Sequence, residues 1–126
     1  MDNIELVLIR GIPGSGKTTL ARRLFPAYEH FEADDFFMVD GVYVYDASKI
    51  AEAHIDCQRR TREAIIQGKS VVVSNTFIRR WEMDYYLSLA VVYGVMRTVL
   101  VAGGEYDNTH GVPVGVIKRM KRTFEI

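Results

Sequence analysis

The chain has 126 residues, and its 16 Lys plus Arg balance its 16 Asp plus Glu, so the formal net charge is zero. Hydrophobic residues make up 48% and charged residues 25%, which excludes a disordered chain. The balance also argues against a generic nucleic-acid coat or a membrane-surface binder, because both carry a basic excess. The length predicts one domain over residues 1–126.

The cysteine content and the apolar runs bear on the compartment. Cys57 is the single cysteine, so no intramolecular disulfide is possible and a reducing compartment is expected. The apolar run near the N-terminus follows Asp2 and is too short for a signal peptide. No run approaches the ~20 apolar residues of a membrane span. These features predict a cytoplasmic protein.

The first third of the chain predicts a strand, a glycine-rich turn and a helix. The short apolar run Ile4 to Ile9 is typical of a strand. A helix is expected from about Lys17 to Phe25, where Pro26 ends it. Its predicted buried stripe consists of Leu20, Ala21, Leu24 and Phe25. Tyr28 to Ala33 predicts a second, short strand, and the VYVY segment after Gly41 predicts a hairpin arm or an ordered loop.

The rest of the chain continues to alternate between helix and strand. Asp46 is a predicted N-cap for a helix that ends near Gln67. The predicted apolar face of that helix consists of Ile50, His54, Cys57, Thr61, Ala64 and Ile65. The later predicted elements are a buried strand at Ser70–Ser74, a helix at Arg79–Tyr93, a strand at Val95–Ala102, a loop at Gly103–Gly111 and a helix opened by Pro113.

This alternation predicts an α/β fold with a mostly parallel sheet covered on both faces. In such sheets the site lies at the carboxyl ends of the strands. The loops after Ile9, Ala33, Val73 and Ala102 are therefore expected to hold the chemistry.

The segment Gly11 to Thr18, GIPGSGKT, matches the phosphate-loop pattern G-x-x-x-x-G-K-[ST] in full. Its glycines permit backbone angles that other residues avoid, so that the amides can surround an anion at the helix N-terminus. Lys17 is expected to reach the β- and γ-phosphates and Thr18 to bind Mg²⁺. The predicted nucleotide-binding residues are Gly11, Pro13, Gly14, Ser15, Gly16, Lys17, Thr18 and Thr19.

Two adjacent carboxylates, Asp34 and Asp35, follow the second predicted strand. A carboxylate near an acceptor hydroxyl can orient it or take its proton. One aspartate can serve in this way while the other assists Mg²⁺ through water or caps a helix; Asp35 has this second role if Asp34 is the base. Both can instead act as caps and turn formers. The third predicted strand ends in Ser74, Asn75 and Thr76, without the usual carboxylate. These side chains can orient substrate or a water on the metal, or form an Asx turn.

The ordered segments resemble the polynucleotide-kinase-like branch of the P-loop kinases. The matching segments are GIPGSGKTTLAR at 11–22, ADDFF at 33–37, DGVY at 40–43, AHIDCQRR at 53–60, SNTF at 74–77, WEM at 81–83, NTHGVP at 108–113 and IKRMKRTFE at 117–125. The resemblance implies a three-layer P-loop kinase fold with the third strand beside the first. It also implies ATP, Mg²⁺ and transfer of the γ-phosphoryl to a hydroxyl, with Asp34 as the base on the acceptor side.

The chain departs from that family at several points. Phe36 and Phe37 occupy the region in which the 5′-kinases carry an arginine for the acceptor phosphate. Ser74 stands where relatives often have aspartate, and Phe77 where they have asparagine. The predicted lid has no arginine, so the cations expected to act during transfer are Arg79 and His110.

Three functions therefore remain open. The first is an ATP- and Mg²⁺-dependent phosphotransferase acting on a polynucleotide 5′-hydroxyl or a nucleoside-like small molecule. The second is a nucleotide-binding switch or scaffold with weak or no hydrolysis. The third is a nucleic-acid-binding adaptor that keeps the fold, which the zero net charge disfavours.

Overall fold

A computed structural model describes residues 3–103, 112 and 114–126. A four-stranded parallel sheet lies at its centre, in the order β2-β5-β1-β6. These strands are β1 (Glu5–Arg10), β2 (Glu29–Phe31), β5 (Val71–Asn75) and β6 (Met96–Val101), and β3 (Met38–Val39) pairs with β4 (Val42–Tyr43) in a separate hairpin. The helices are α1 (Lys17–Leu24), α2 (Ile50–Ile66), α3 (Asp84–Tyr93) and α4 (Val114–Thr123). The predicted α/β fold with a mostly parallel sheet is confirmed.

The sheet register places the phosphate-loop strand in the middle of the core. Leu8 of β1 lies opposite Val73 on one side and Val99 on the other. All five residues of β5 are buried, as the unbroken valine run predicts for a strand covered on both faces. The third predicted strand therefore does lie beside the first.

Two apolar layers cover the two faces of the sheet. On one face, Val7, Ile9 and Val72 pack with Ala21 of α1. On the other face, Leu6, Leu8, Val71 and Val73 join the buried residues of α2 and α3, among them Cys57, Ile65 and Tyr86. The phosphate loop therefore lies at the carboxyl end of β1, between the two layers.

The turn residues Asp40 and Gly41 explain why β3 and β4 form a hairpin. Asp40 and Gly41 have φ values of 50° and 81°, which are the positive angles that a two-residue type I′ turn requires. The register pairs Met38 with Tyr43 and Val39 with Val42. The hairpin interpretation of the VYVY segment is thus confirmed for its first half.

Helix boundaries and exposed faces differ from the sequence predictions in a few places. Asp46 accepts a bond from the Ser48 N–H and caps a 3₁₀ turn at Ala47–Lys49, from which α2 continues. Leu24 is 55% exposed and Ile50 is 42% exposed, so both predictions of burial were wrong. Each lies in a terminal turn of its helix, where the sheet no longer covers the apolar stripe.

The edge strand β6 alternates between half-buried and exposed residues. Leu100 packs against the α1 layer, whereas Val99 and Val101 are 41% and 56% exposed. Across the described residues, no helix has the length and apolar character that crossing a membrane requires.

Candidate functional site

The phosphate loop turns sharply between β1 and α1. Gly14 and Gly16 have φ values of 82° and 89°, a region that side chains with a Cβ rarely adopt. Gly11 is needed for a different reason, because a Cβ there would overlap the Ser15 hydroxyl and lie 3.0 Å from the Ala102 carbonyl oxygen. The loop is therefore shaped by glycines in three places, just before the N-terminus of α1.

Lys17 lies folded against this loop. Its Nζ donates to the carbonyl oxygens of Gly11 and Ile12, at 2.9 and 3.1 Å. Burial lowers the pKa of Lys17, and the nearby carboxylates of Glu32 and Asp34 act to raise it. Carbonyl partners bind an ammonium more weakly than an anion does. The side chain is thus held ready in a site that favours a phosphate.

Ser15 carries an unsatisfied group next to a cavity. Its hydroxyl is buried and has no hydrogen-bond partner among the described residues, an arrangement that costs free energy unless a ligand supplies the bond. A cavity of about 210 Å³ opens beside it, lined by Ser15, Gly16, Thr19, Leu20, Arg23, Val101, Ala102 and Gly103. The loop amides, this hydroxyl and the cavity fit a nucleoside phosphate.

Thr18 contacts a carboxylate that the sequence analysis did not identify. Its Oγ1 donates to Glu32 Oε1 at 2.7 Å. Glu32 directly follows β2, so the parallel sheet brings it to the same edge as the phosphate loop. A threonine hydroxyl and a carboxylate are hard oxygen donors of the kind that Mg²⁺ prefers. The donor set fits a magnesium ion next to the phosphates.

Asp34 lies in the 3₁₀ turn Ala33–Phe37, which follows β2 at the same edge of the sheet as the phosphate loop. It is half-buried, and its negative charge opposes the lowering of the Lys17 pKa by burial. The Tyr43 hydroxyl donates to Asp34 Oδ1 at 3.0 Å, which links the carboxylate to the hairpin. Burial and this bond both raise the pKa of Tyr43, so the tyrosine stays a hydrogen-bond donor at neutral pH.

Asp35 points toward α2. Its Oδ2 lies 3.3 Å from Arg60 Nη1 and accepts the N–H of Glu32 at 3.0 Å. Arg60 in turn donates to the Glu32 carbonyl at 3.1 Å and lies over the Phe31 ring. These contacts fix the backbone of Glu32, and the described contacts of Asp35 do not include Thr18.

The end of β5 supports the same region through neutral side chains. Asn75 accepts the Ala33 N–H at 2.8 Å and donates to the Cys57 sulfur at 3.7 Å. It thereby fixes the start of the turn that carries Asp34. Ser74 is buried and lies 2.8 Å from His30 Nε2. Burial lowers the pKa of His30, so this histidine is neutral at pH 7.

The profile of a known family, described as an AAA domain, matches residues 6–103. The matched span begins in β1 and ends just beyond β6, and it contains every contact described above. The chain belongs to this AAA domain family.

Two curated proteins illustrate the range of relatives. The chain is 40% identical over 91 residues to human NEDD4-binding protein 2, covering 69% of this chain and 5% of that protein. It is 35% identical over 98 residues to the cytidylate kinase of Methanopyrus kandleri, covering 68% of this chain and 51% of that kinase. The AAA domain thus spans about half of one relative's length and a small part of the other's.

Solved structures share the fold at lower identity. The structure of the Pnkp1/Rnl/Hen1 complex matches with a TM-score of 0.64 and 19% identity, covering 94% of this chain and 39% of that chain. The gluconokinase of Sinorhizobium meliloti matches with a TM-score of 0.60 and 17% identity, covering 100% and 78%. The APS kinase of Mycobacterium tuberculosis matches with a TM-score of 0.60 and 13% identity, covering 94% and 69%. The AAA domain therefore has the fold of the P-loop kinases.

Arg79 and His110 are the other residues predicted to act during transfer. Arg79 Nη1 lies 3.6 Å from Glu125 and its N–H donates to Glu82 at 2.7 Å, so its described contacts are not with the phosphate loop. His110, together with most of the NTHGVP segment, lies outside the described residues. Among the described residues that were predicted to be catalytic, Asp34 is the one whose charge acts on Lys17.

Two contacts of the site were not predicted from the sequence: that of Glu32 with Thr18 and that of Tyr43 with Asp34. Glu32 lies inside the predicted strand Tyr28 to Ala33 and belongs to none of the recognised motifs. Tyr43 lies nine residues after Asp34 and reaches it because the type I′ turn folds β4 back on β3. An acidic residue right after a strand of a parallel sheet was the available signal for Glu32.

Proposed function

We propose that this protein is an ATP- and Mg²⁺-dependent phosphotransferase that moves the γ-phosphoryl group to the hydroxyl of a nucleoside-like small molecule. The observation that carries this proposal is the position of Asp34 in the turn after β2, at the same edge of the parallel sheet as the phosphate loop after β1, from which its charge acts on Lys17. A phosphate-binding cation and a carboxylate able to serve an acceptor hydroxyl then meet at one edge of the sheet, which is what transfer to an alcohol needs.

The proposed step uses few groups. The acceptor oxygen attacks the γ-phosphorus as the bond to the β-phosphate oxygen breaks, and ADP leaves with the bonding electrons. Asp34 takes the hydroxyl proton, while Lys17 stabilises charge on the transferring phosphoryl group. Thr18 would hold Mg²⁺, which would supply further neutralisation of charge on the phosphate oxygens. The loop amides and the Ser15 hydroxyl hold the remaining phosphate oxygens.

The composition of the acceptor side favours a small uncharged acceptor over a polynucleotide. Residues 33–48 contain four aspartates and no Lys, Arg or His, whereas a nucleic-acid end brings phosphates that need cations.

The same segment, residues 33–48, is rich in aromatic side chains. Tyr43 and Tyr45 are nearly parallel, with an interplanar angle of 18°, and Phe37 packs against both rings. Tyr45 is 54% exposed and offers a face on which a base can stack.

An acceptor panel with γ-labelled ATP tests this proposal. The panel holds uncharged nucleosides and 5′-hydroxyl RNA and DNA oligonucleotides, with wild type, Tyr45→Ala and Trp81→Ala. Trp81 is a matched control because it is 68% exposed on a different 3₁₀ turn, Arg80–Met83. We expect label on nucleosides and a KM for the acceptor raised on the order of tenfold by Tyr45→Ala alone, from the loss of one stacking contact.

Three other outcomes would contradict parts of this proposal. Label on oligonucleotides alone would contradict the small acceptor and favour the polynucleotide 5′-hydroxyl. Tight nucleotide binding with no labelled acceptor would contradict phosphotransfer and favour the nucleotide switch. Equal effects of Tyr45→Ala and Trp81→Ala would contradict the aromatic acceptor surface.

A further inference from the structure

The strand next to β1 ends without a carboxylate. In P-loop nucleotide hydrolases the metal is held by the loop hydroxyl together with an aspartate from a neighbouring strand. Here β5 ends in Ser74 and Asn75, and both side chains are already engaged. Ser74 lies 2.8 Å from His30, and Asn75 accepts the Ala33 N–H at 2.8 Å. The metal-side carboxylate must therefore come from another element.

Glu32 lies in the position that this role requires. Its Oε1 accepts the Thr18 hydroxyl at 2.7 Å, and its charge acts on Lys17. The side chain is half-buried, so solvent screens its charge only in part.

The backbone of Glu32 is held from both sides. The N–H donates to Asp35 Oδ2 at 3.0 Å, and the carbonyl accepts from Arg60 Nη2 at 3.1 Å. Arg60 is itself fixed by Asp56, with 2.9 Å between Nε and Oδ2. The carboxylate thus projects from a fixed point on the chain, as a metal ligand or a holder of metal-bound water needs to do.

We propose that Glu32 supplies the carboxylate of the nucleotide-linked magnesium site, from the end of β2 instead of β5. Without the metal, its negative charge repels the phosphates. With the metal, the same charge attracts the cation that the phosphates carry. Glu32 is thus the residue that makes nucleotide binding depend on magnesium. This inference rests on the nucleotide-binding part of the proposed function and needs no acceptor.

The test compares the affinity for a non-hydrolysable ATP analogue in Mg²⁺ and in EDTA, by calorimetry. The variants are Glu32→Gln and, as a matched control, Glu29→Gln. Glu29 lies on the same strand and pairs with Lys69 at 3.4 Å on the surface. We expect wild type and Glu29→Gln to bind more tightly in Mg²⁺. For Glu32→Gln, the ratio of the affinity in Mg²⁺ to the affinity in EDTA should be at least tenfold smaller than for wild type. Its affinity in EDTA should be equal to or higher than that of wild type.

A second readout follows the metal itself. Mn²⁺ replaces Mg²⁺, and its electron paramagnetic resonance signal is titrated in the presence of the analogue. Glu32→Gln should weaken Mn²⁺ retention at least tenfold. Glu32→Asp keeps the charge with a shorter reach and should give an intermediate loss, which keeps the test valid if Glu32→Gln fails to fold.

Several results would overturn the inference. They are an unchanged magnesium gain in Glu32→Gln, an equal loss of affinity in Mg²⁺ and in EDTA, and a wild type that shows no magnesium gain. If the magnesium effect appears but no acceptor is phosphorylated, the role of Glu32 stands and the proposed phosphotransfer fails, so the two failures are distinguishable.

Discussion

The Tyr43 hydroxyl donates a hydrogen bond to the Asp34 carboxylate, with 3.0 Å between the two oxygens. The pair joins an exposed hairpin to the carboxylate in the turn that follows β2. The turn at Asp40 and Gly41 makes the contact possible, because it returns β4 alongside β3. The orientation of the proposed base therefore depends on the hairpin as well as on the strand that precedes it.

Tyr43→Phe removes this bond and keeps the ring. A hydrogen bond to a charged group contributes about 1.5–3 kcal/mol, so we expect kcat to fall on the order of tenfold with an unchanged KM for ATP. Steady-state kinetics measures both values. Tyr45→Phe, which removes a hydroxyl from the same hairpin, should keep the wild-type kcat. Equal losses in the two variants would contradict an orienting role for Tyr43.

Ser15→Ala separates stability from ligand binding. The variant removes a buried hydroxyl that has no partner among the described residues, so the free protein should gain up to about 1 kcal/mol in the free energy of unfolding. Affinity for an ATP analogue should fall, since a phosphate oxygen loses its donor. Urea unfolding and calorimetry measure the two effects. A variant that loses stability and keeps its affinity would refute the assignment.

Much of this site was predictable from the sequence, and the part that was not has a physical cause. The phosphate loop was predictable because its glycines and Lys17 act locally, within one turn. The order of strands β5 and β1 matched the family resemblance. Glu32 was missed because its function depends on which strand lies next to which. The exposure of Val99 and Val101 was missed because a short apolar run does not reveal that it lies at an edge.

Acid should destabilise the protein through His30. Burial lowers the pKa of His30 in the folded state, below the value of about 6.5 expected in the unfolded chain. The folded state then binds fewer protons, so this contribution to stability is complete above pH 6.5 and is lost as the pH falls toward the folded pKa. Urea unfolding should show that the free energy of unfolding decreases less between pH 7.5 and pH 5 in His30→Gln than in wild type. His54→Gln is the matched control and should show the same decrease as wild type. The same decrease in His30→Gln as in wild type would contradict the role of His30.

Arg10 ties the phosphate-loop strand to the segment after β5. Its guanidinium is buried, donates to the Phe77 carbonyl at 2.7 and 3.1 Å, and lies over the Phe124 ring at 4.4 Å. Phe77 has a φ of 45°, a strained angle for a bulky residue that surrounding contacts must hold.

Arg10→Met leaves that carbonyl without its donor and removes the contact with Phe124. We expect the free energy of unfolding to fall by about 2–4 kcal/mol. Arg97→Met, on the exposed side of β6, should change it by less than about 0.5 kcal/mol. Urea unfolding measures the free energy of unfolding of both variants. Equal losses in Arg10→Met and Arg97→Met would show that Arg10 does not stabilise the fold through these contacts.

The proposed phosphotransfer depends on Asp34 as the group that takes the proton of the acceptor hydroxyl, and Asp34→Asn removes that group. The asparagine can still accept from Tyr43, so the hairpin contact is kept while the base is lost. Asp40→Asn is the matched control, because asparagine tolerates the positive φ of that turn. Transfer of labelled phosphoryl and affinity for an ATP analogue are measured on the same preparations. We expect Asp34→Asn to abolish transfer with wild-type affinity and Asp40→Asn to change neither. Transfer by Asp34→Asn at the wild-type rate would show that Asp34 is not the base.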